Sequence, residues 1–254
     1  MPPTRHPTSE QDLTYDSISL RGAGIIKIAQ PSKGHRFTLD SIVLSDFCRI
    51  RPRGKVLEPG AGTGVISICL AKKFPRASFI AVEMQERLAM LCAENIRMNG
   101  LDNRITTVCS DIADLATSFA AGTFDAIVMN PPYLKSKTGR PSPVPERQKS
   151  RHDTTAAIET WLDLHVLLKN RGRLFAVFPA HRLTELFLLM KDRRLEPKRI
   201  RILHPYQDKP ASLILIDAVK SGGEGIEVMP PLFVHKAGGG YTDETLEIYD
   251  HKGV

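Results

Sequence analysis

Two stretches of this 254-residue chain hold residue types that do chemistry only in particular places. The first is Glu58-Pro59-Gly60-Ala61-Gly62-Thr63-Gly64. Glycines let a backbone turn sharply and approach a ligand closely, because no Cβ intervenes. A dinucleotide-binding turn spaces them G-x-G-x-x-G, which would put the third at position 65, and that position is Val. The acid before the turn also argues against an anion. Glu58 would repel a pyrophosphate and suits a cationic ligand group. Some 20 residues beyond the glycines stands Glu83, where a carboxylate can accept both hydroxyls of a ribose. The second stretch is Asn130-Pro131-Pro132-Tyr133. Asn-Pro is a common turn opener, so the string reads either as a stiff strand exit or as a site.

These residues need elements to position them. Residues 1–12 are a polar, Pro-rich lead-in, and 18–28 form a hairpin around Arg21-Gly22-Ala23-Gly24. A helix begins near 37–40 and carries Ile42, Val43, Leu44 and Phe47 at helical spacing. Strands at 55–58, 78–82, 105–108, 124–129 and 173–178 then alternate with helices at 65–74, 85–99, 155–168 and 180–191. Gly100 closes the second of these helices at the C′ position. The last two strands, 199–203 and 213–219, are too close in sequence for a helix between them, so they pair antiparallel. The fold class is therefore α/β: a Rossmann-like, seven-stranded, mostly parallel sheet, with helices on both faces and an antiparallel last strand. Residues 1–36 make the lead-in and hairpin, and 37–254 the main domain. Such sheets bind ligands outside the carboxyl ends of their strands, which is where Glu58, Glu83 and Asn130 fall.

The acid followed by G-x-G-x-G resembles the first motif of class I S-adenosylmethionine (AdoMet) methyltransferases. That resemblance implies AdoMet as cofactor, with Glu58, Gly60, Gly62, Gly64, Glu83 and Met84 around it. It also implies that Asp111 faces the adenine amino group and that Ile112 covers the ring. Asn130-Pro131-Pro132-Tyr133 resembles the catalytic motif of methyltransferases acting on planar nitrogens, and its place at a strand end of this sheet favours the site over the turn. The lone pair of an exocyclic amine is delocalised, so such a nitrogen is a poor nucleophile. Acceptors around its two hydrogens, the side-chain oxygen of Asn130 and the carbonyl of Pro131, would pull it toward tetrahedral geometry. Pro131 holds its carbonyl rigidly because its ring fixes φ, and Tyr133 would stack on the flat target beside Pro132. The product ammonium is acidic, so no histidine is nominated as a base; His35, His152, His181 and His204 are read as surface or packing residues. Across residues 16–250 the pattern is similar to the bacterial tRNA1(Val) adenine-N6 methyltransferase family. The features shared with it are Asp40, the E-P-G-A-G-T-G turn, N-P-P-Y, Arg151-His152-Asp153 and the late stretch 238–244 with its following short helix. It implies Asp40 and Asn130 at the cofactor and N6 of an anticodon-loop adenine in tRNA as the acceptor.

Composition constrains the partners. With 35 Lys+Arg against 28 Asp+Glu the formal charge is +7, which favours an anionic partner. The placement matters more than the total. Lys135, Lys137, Arg140, Arg147, Lys149 and Arg151 directly follow the N-P-P-Y motif, where they can clamp phosphates around a target base. Lys135, Lys137, Arg140 and Arg151, with Pro132 and Tyr133, are thus the substrate-binding candidates. Two further basic groups, Arg193 to Arg201 and Arg49 to Lys55, read equally as a solvated rim. Four cysteines form no C-x-x-C pair and no cluster with histidine, so no metal site is expected, and a reducing cytoplasm fits. No apolar run suits a secretory signal or a membrane span. RNA, as tRNA, is the expected partner. A glutamine-N5 methyltransferase of a release factor, a guanine-N2 rRNA methyltransferase and a non-catalytic RNA-binding or AdoMet-sensing module are the competing readings.

Overall fold

The computed structural model describes residues 13–33, 36–131 and 153–250. Strands β1 (Leu13–Leu20) and β2 (Gly24–Pro31) form the expected hairpin, longer than the apolar pattern predicts. Helix α1 (Leu39–Phe47) follows. Then come β3 (Lys55–Pro59), α2 (Val65–Lys73), β4 (Ser78–Glu83), α3 (Glu86–Met98), β5 (Ile105–Cys109), α4 (Leu115–Ser118) and β6 (Phe124–Met129). After the undescribed residues 132–152 the chain continues through α5 (Asp153–Asp163), β7 (Leu168–Pro179), α6 (Leu183–Asp192), β8 (Leu195–His204) and β9 (Leu213–Lys220). Two-residue strands β10 (Glu227–Val228) and β11 (Leu232–Phe233), helix α7 (Asp243–Ile248) and strand β12 (Tyr249–Asp250) complete it.

The main sheet runs β10-β8-β9-β7-β6-β3-β4-β5, with β11 also on β8. Strands β3 to β7 run parallel to one another, and β9 lies antiparallel between β7 and β8. The seven expected strands are its body; β10 and β11 raise the count to nine, each pairing parallel with β8. A separate three-stranded sheet, β12-β1-β2, closes over α3 and α7. Both faces of the main sheet are apolar. Along β6, Ala126 and Val128 join one buried cluster with α1, α2, α3 and the hairpin. Phe124, Ile127 and Met129 join the other, with α4, α5 and α6. The alternation of side chains along a strand feeds both layers, which is why the strands read as continuous apolar runs.

Three local readings change. The predicted helix 155–168 gives way to β7 at Leu168, because Leu168 pairs with Phe124 before residues 169–172 bulge out and Arg173 resumes the ladder opposite Ala126. Lys169, in the bulge, pairs with Asp125 at 2.9 Å. Strand β8 begins four residues earlier than its apolar core, carried by pairing with β9 from Leu195 onward, and its Pro197 sits at a register shift, where a missing N–H is tolerated. Finally Arg199 and Arg201 are buried, not part of a rim. Arg199 lies 4.2 Å over the Phe47 ring and donates to Phe47 O, while Arg201 pairs with Glu244.

Among the described residues no helix is long and apolar enough to cross a membrane, and no group of three or more His, Cys, Asp and Glu is placed to hold a metal ion.

Candidate active site

Strand β3 ends at Glu58 and Pro59, and the chain turns back through residues 60–64 before α2 starts at Val65. Gly60, Gly62 and Gly64 all have positive φ, at 65°, 55° and 81°. Two of them also face close neighbours. A Cβ on Gly60 would lie 2.5 Å from the Trp161 ring, and one on Gly64 2.6 Å from Cys92 Sγ. Sequence spacing identified the turn; the residues that press on it, Trp161 from α5 and Cys92 from α3, come from far along the chain.

The two acids hold this turn. Glu83, at the end of β4, is buried; one carboxylate oxygen accepts from Gly62 N and the other from Gln85 N, both at 2.9 Å. Each oxygen keeps acceptor capacity for a further donor. Glu58 is 2% exposed, and its Oε2 accepts both the backbone N–H of Ser67, at 2.8 Å, and the Ser67 hydroxyl. Burial pushes the Glu58 carboxyl up to about 7, against the bonds from Ser67 and with a further upward push from the charge of Glu83. Next along the edge, Ser110 N donates to Glu83 O at 3.2 Å, and Asp111 caps the following turn by accepting from Ala113 N at 2.9 Å. Ile112 is half-buried against the second core cluster, and Met84 is 64% exposed beside Glu83. The register puts Glu58 opposite Ala81 and Glu83 opposite Cys109, so the acids of three adjacent parallel strands share one edge.

Asn130 follows β6 at the same edge. Its side-chain nitrogen donates to Ser41 Oγ of α1 at 3.1 Å, and Pro131 is buried behind it. With its nitrogen committed, the amide presents its oxygen as acceptor. Ser41 is a positioning residue that the sequence reading did not single out; the signal was a hydroxyl among the apolar residues of a buried helix. A second omission is Asn95, fully buried on α3. It accepts from Ala29 N at 2.7 Å, and its amide nitrogen donates to Ala29 O and Thr63 O, both at 2.9 Å. One side chain thereby joins the hairpin to the glycine turn.

Asp40 sits in the first turn of α1, with Thr38 Oγ1 donating to it at 3.1 Å and burial raising its carboxyl above the ordinary range. It lines a cavity of about 280 Å³ together with the ends of β8, β9 and β11, which the glycine turn does not line. Pro132, Tyr133, Lys135, Lys137, Arg140 and Arg151 lie outside the described residues, as do His35 and His152. His204 Nδ1 donates to Lys209 O at 2.8 Å, and the ring packs on Phe233.

Residues 35–144 match the family model of the methyltransferase small domain. The chain is a methyltransferase. The tRNA1(Val) (adenine(37)-N6)-methyltransferase of Porphyromonas gingivalis is 29% identical over 231 residues, 87% of this methyltransferase and 89% of its own length. The protein of the same name from Vibrio campbellii is 24% identical over 216 residues, 85% and 87% of the two chains. Among solved structures, a predicted O-methyltransferase from Agrobacterium tumefaciens superposes with a TM-score of 0.66 at 17% identity, over 82% of this chain and 94% of its own, which is a likeness of fold.

Methyltransferases of this class take their methyl group from AdoMet, and the edge of this sheet fits that cofactor rather than a dinucleotide. A pyrophosphate would meet two buried carboxyl groups. A cationic amino-acid tail and a pair of ribose hydroxyls would instead meet acceptors, next to a turn whose three glycines hold left-handed backbone.

Proposed function

We propose that this methyltransferase modifies the N6 amine of an unpaired adenine in the anticodon loop of a tRNA. The observation that carries this reading is the Asn130–Ser41 bond, which aims an amide oxygen from the edge that also carries Glu58 and Glu83. Bound AdoMet supplies an electrophilic methyl group on a sulfonium. Glu58, Gly60, Gly62, Gly64, Glu83, Met84, Asp111 and Ile112 are assigned to holding it, with Asn130 at its reactive end; Asp40, in the neighbouring cavity, is not assigned to it. Asn130 Oδ1 and the Pro131 carbonyl accept the two N–H groups of the amine, so its lone pair is freed from conjugation with the ring. Tyr133 and Pro132 stack on the base. The catalytic contribution is orientation and fixed dipoles rather than a strong base. Lys135, Lys137, Arg140 and Arg151 are assigned to the phosphates around the adenine. The names of the Porphyromonas and Vibrio relatives support the choice of adenine in tRNA over glutamine or guanine.

Labelled AdoMet incubated with unmodified tRNA, rRNA and purified release factor in parallel tests the acceptor. Label is expected in tRNA, as N6-methyladenine; label in the release factor alone would overturn the assignment. Asn130→Ala is expected to abolish transfer while AdoMet binding persists, and full activity in that variant would remove Asn130 from the catalytic role.

A further inference from the structure

The cavity lined by Asp40 lies on the same edge of the sheet as Asn130. Strands β8 and β11 are parallel to each other and end there, at Leu203–Pro205 and Phe233–His235, while antiparallel β9 begins there, with Leu213 opposite both Pro179 and Leu203. The third wall is the first turn of α1, where Asp40 directly precedes the Ser41 that holds Asn130. The cavity is therefore the immediate neighbour of the methyl-transfer position, on the side away from the cofactor turn.

One wall is aromatic and built for its task. His235 and Tyr241 stack with ring centroids 5.2 Å apart and planes 18° from parallel, and the Tyr206 ring lies tilted at 32° to His235, also at 5.2 Å. The backbone enforces this arrangement. His235 and Tyr241 pair as an isolated bridge, and the glycines at 238–240 turn the chain between them, with Lys236 N donating to Gly240 O and Gly239 N to Lys236 O. Val234 N donates to His204 O and His235 N to Pro205 O, fixing the segment to the end of β8. Thr242 then anchors the far side: its N–H donates to Val234 O, its hydroxyl donates to Phe233 O, and its Oγ1 also accepts from Thr245 N to cap α7. The late Gly-Gly-Gly-Tyr-Thr-Asp stretch thus exists to hold a flat, half-buried ring pair at a cavity mouth. Leu203, Leu213 and Val234 make the remaining walls apolar, and the Asp40 carboxylate offers an acceptor.

We infer that this cavity takes an unpaired nucleobase flanking the methylated one, stacked against the His235–Tyr241 pair. This rests on the RNA reading above. An apolar slot with one aromatic wall suits any base face, and the Asp40 acceptor favours a base with an exocyclic amine. A second base seated here would hold the loop open and fix the target's approach to Asn130, in a chain with no separate recognition domain among its described residues.

The test is a double-mutant cycle on RNA binding with AdoMet affinity measured alongside. The RNAs are an unmodified anticodon stem-loop and versions with an abasic nucleotide on either side of the target adenine. His235→Ala and Tyr241→Ala are expected to weaken binding of the intact loop by about 5- to 100-fold, the range of one lost base stack. His235→Phe, which keeps a ring, stays near the wild type, and AdoMet affinity is unchanged in all three. One of the two abasic loops binds wild type as weakly as the intact loop binds His235→Ala, and that variant loses nothing further from the same abasic change. Independent, multiplying losses would overturn the proposal, as would a wild type indifferent to both abasic positions or a His235→Phe as weak as His235→Ala. Binding is read without turnover, so methylation of a different base would revise the acceptor and leave this result standing. Absence of any RNA binding by the wild type would overturn both.

Discussion

Glu58→Gln isolates the cost of keeping a carboxyl group inside this fold. Burial pushes Glu58 up to about 7 from an ordinary value of 4.5. Between those values the folded chain binds the proton that the unfolded chain has released, so stability falls as pH rises. Below about pH 4.5 the group costs nothing; above about pH 7 the full cost is present. At about 1.4 kcal/mol for each pH unit, the interval corresponds to about 3 kcal/mol. For a chain of this size that is on the order of 5–10 °C in Tm. Both Ser67 donors fall on the same oxygen, Oε2, so an amide oxygen in that place keeps both bonds while removing the charge. Thermal unfolding of the AdoMet-free protein at several pH values between 5 and 8 reads the effect. The variant is expected to match the wild type near pH 5 and exceed it by several degrees at pH 8. Asp40 and Asp217, raised by burial, bend the absolute curve the same way, and Asp125, lowered by the Lys55 N–H and by Lys169, and Glu185, lowered by Arg182, bend it the other. All four cancel in the difference. Parallel curves for the two proteins would refute the assignment of the raised value to Glu58.

Gly64→Ala puts a Cβ 2.6 Å from Cys92 Sγ at a φ of 81°, and it is expected to cost about 2–4 kcal/mol in a urea titration. Adding Cys92→Ala should recover the steric part and leave the cost of the left-handed backbone; no recovery would show that the contact is not the cause. Ser41→Ala frees the Asn130 amide. It should lower kcat about 5- to 10-fold, the worth of one hydrogen bond, with AdoMet affinity unchanged, whereas a loss confined to AdoMet affinity would remove the positioning role.

How far the sequence carried the reading depended on the range of each interaction. The strand–helix alternation was legible because the central strands are continuous apolar runs and the longest helix, α3, is stopped by Gly100. The acids at Glu58, Glu83 and Asp111 were legible because they close strands in consecutive units. Charge counting failed at Arg199 and Arg201. Their burial is made by Phe47, Asp217 and Glu244, partners between 18 and 152 residues away, and no local pattern announces such a pairing. The start of β7 was missed for a similar reason, since Leu168 is recruited by Phe124 across the sheet rather than by its own neighbours. Ser41 and Asn95 look like polar interruptions of amphipathic helices until the segments they bind are in place.

The Asn95 bridge ties the timing of folding to the cofactor turn. Its amide nitrogen donates to both Thr63 O and Ala29 O, and the hairpin that carries Ala29 shares a sheet with β12 through Ser19 opposite Asp250 and Leu20 opposite Tyr249. Those pairs join segments about 230 residues apart, so they close late, after the loop entropy of nearly the whole chain has been overcome. The βα units around Gly60 and Gly64 can assemble early from local contacts, whereas the hairpin that Asn95 joins to their turn is completed only when β12 pairs with β1.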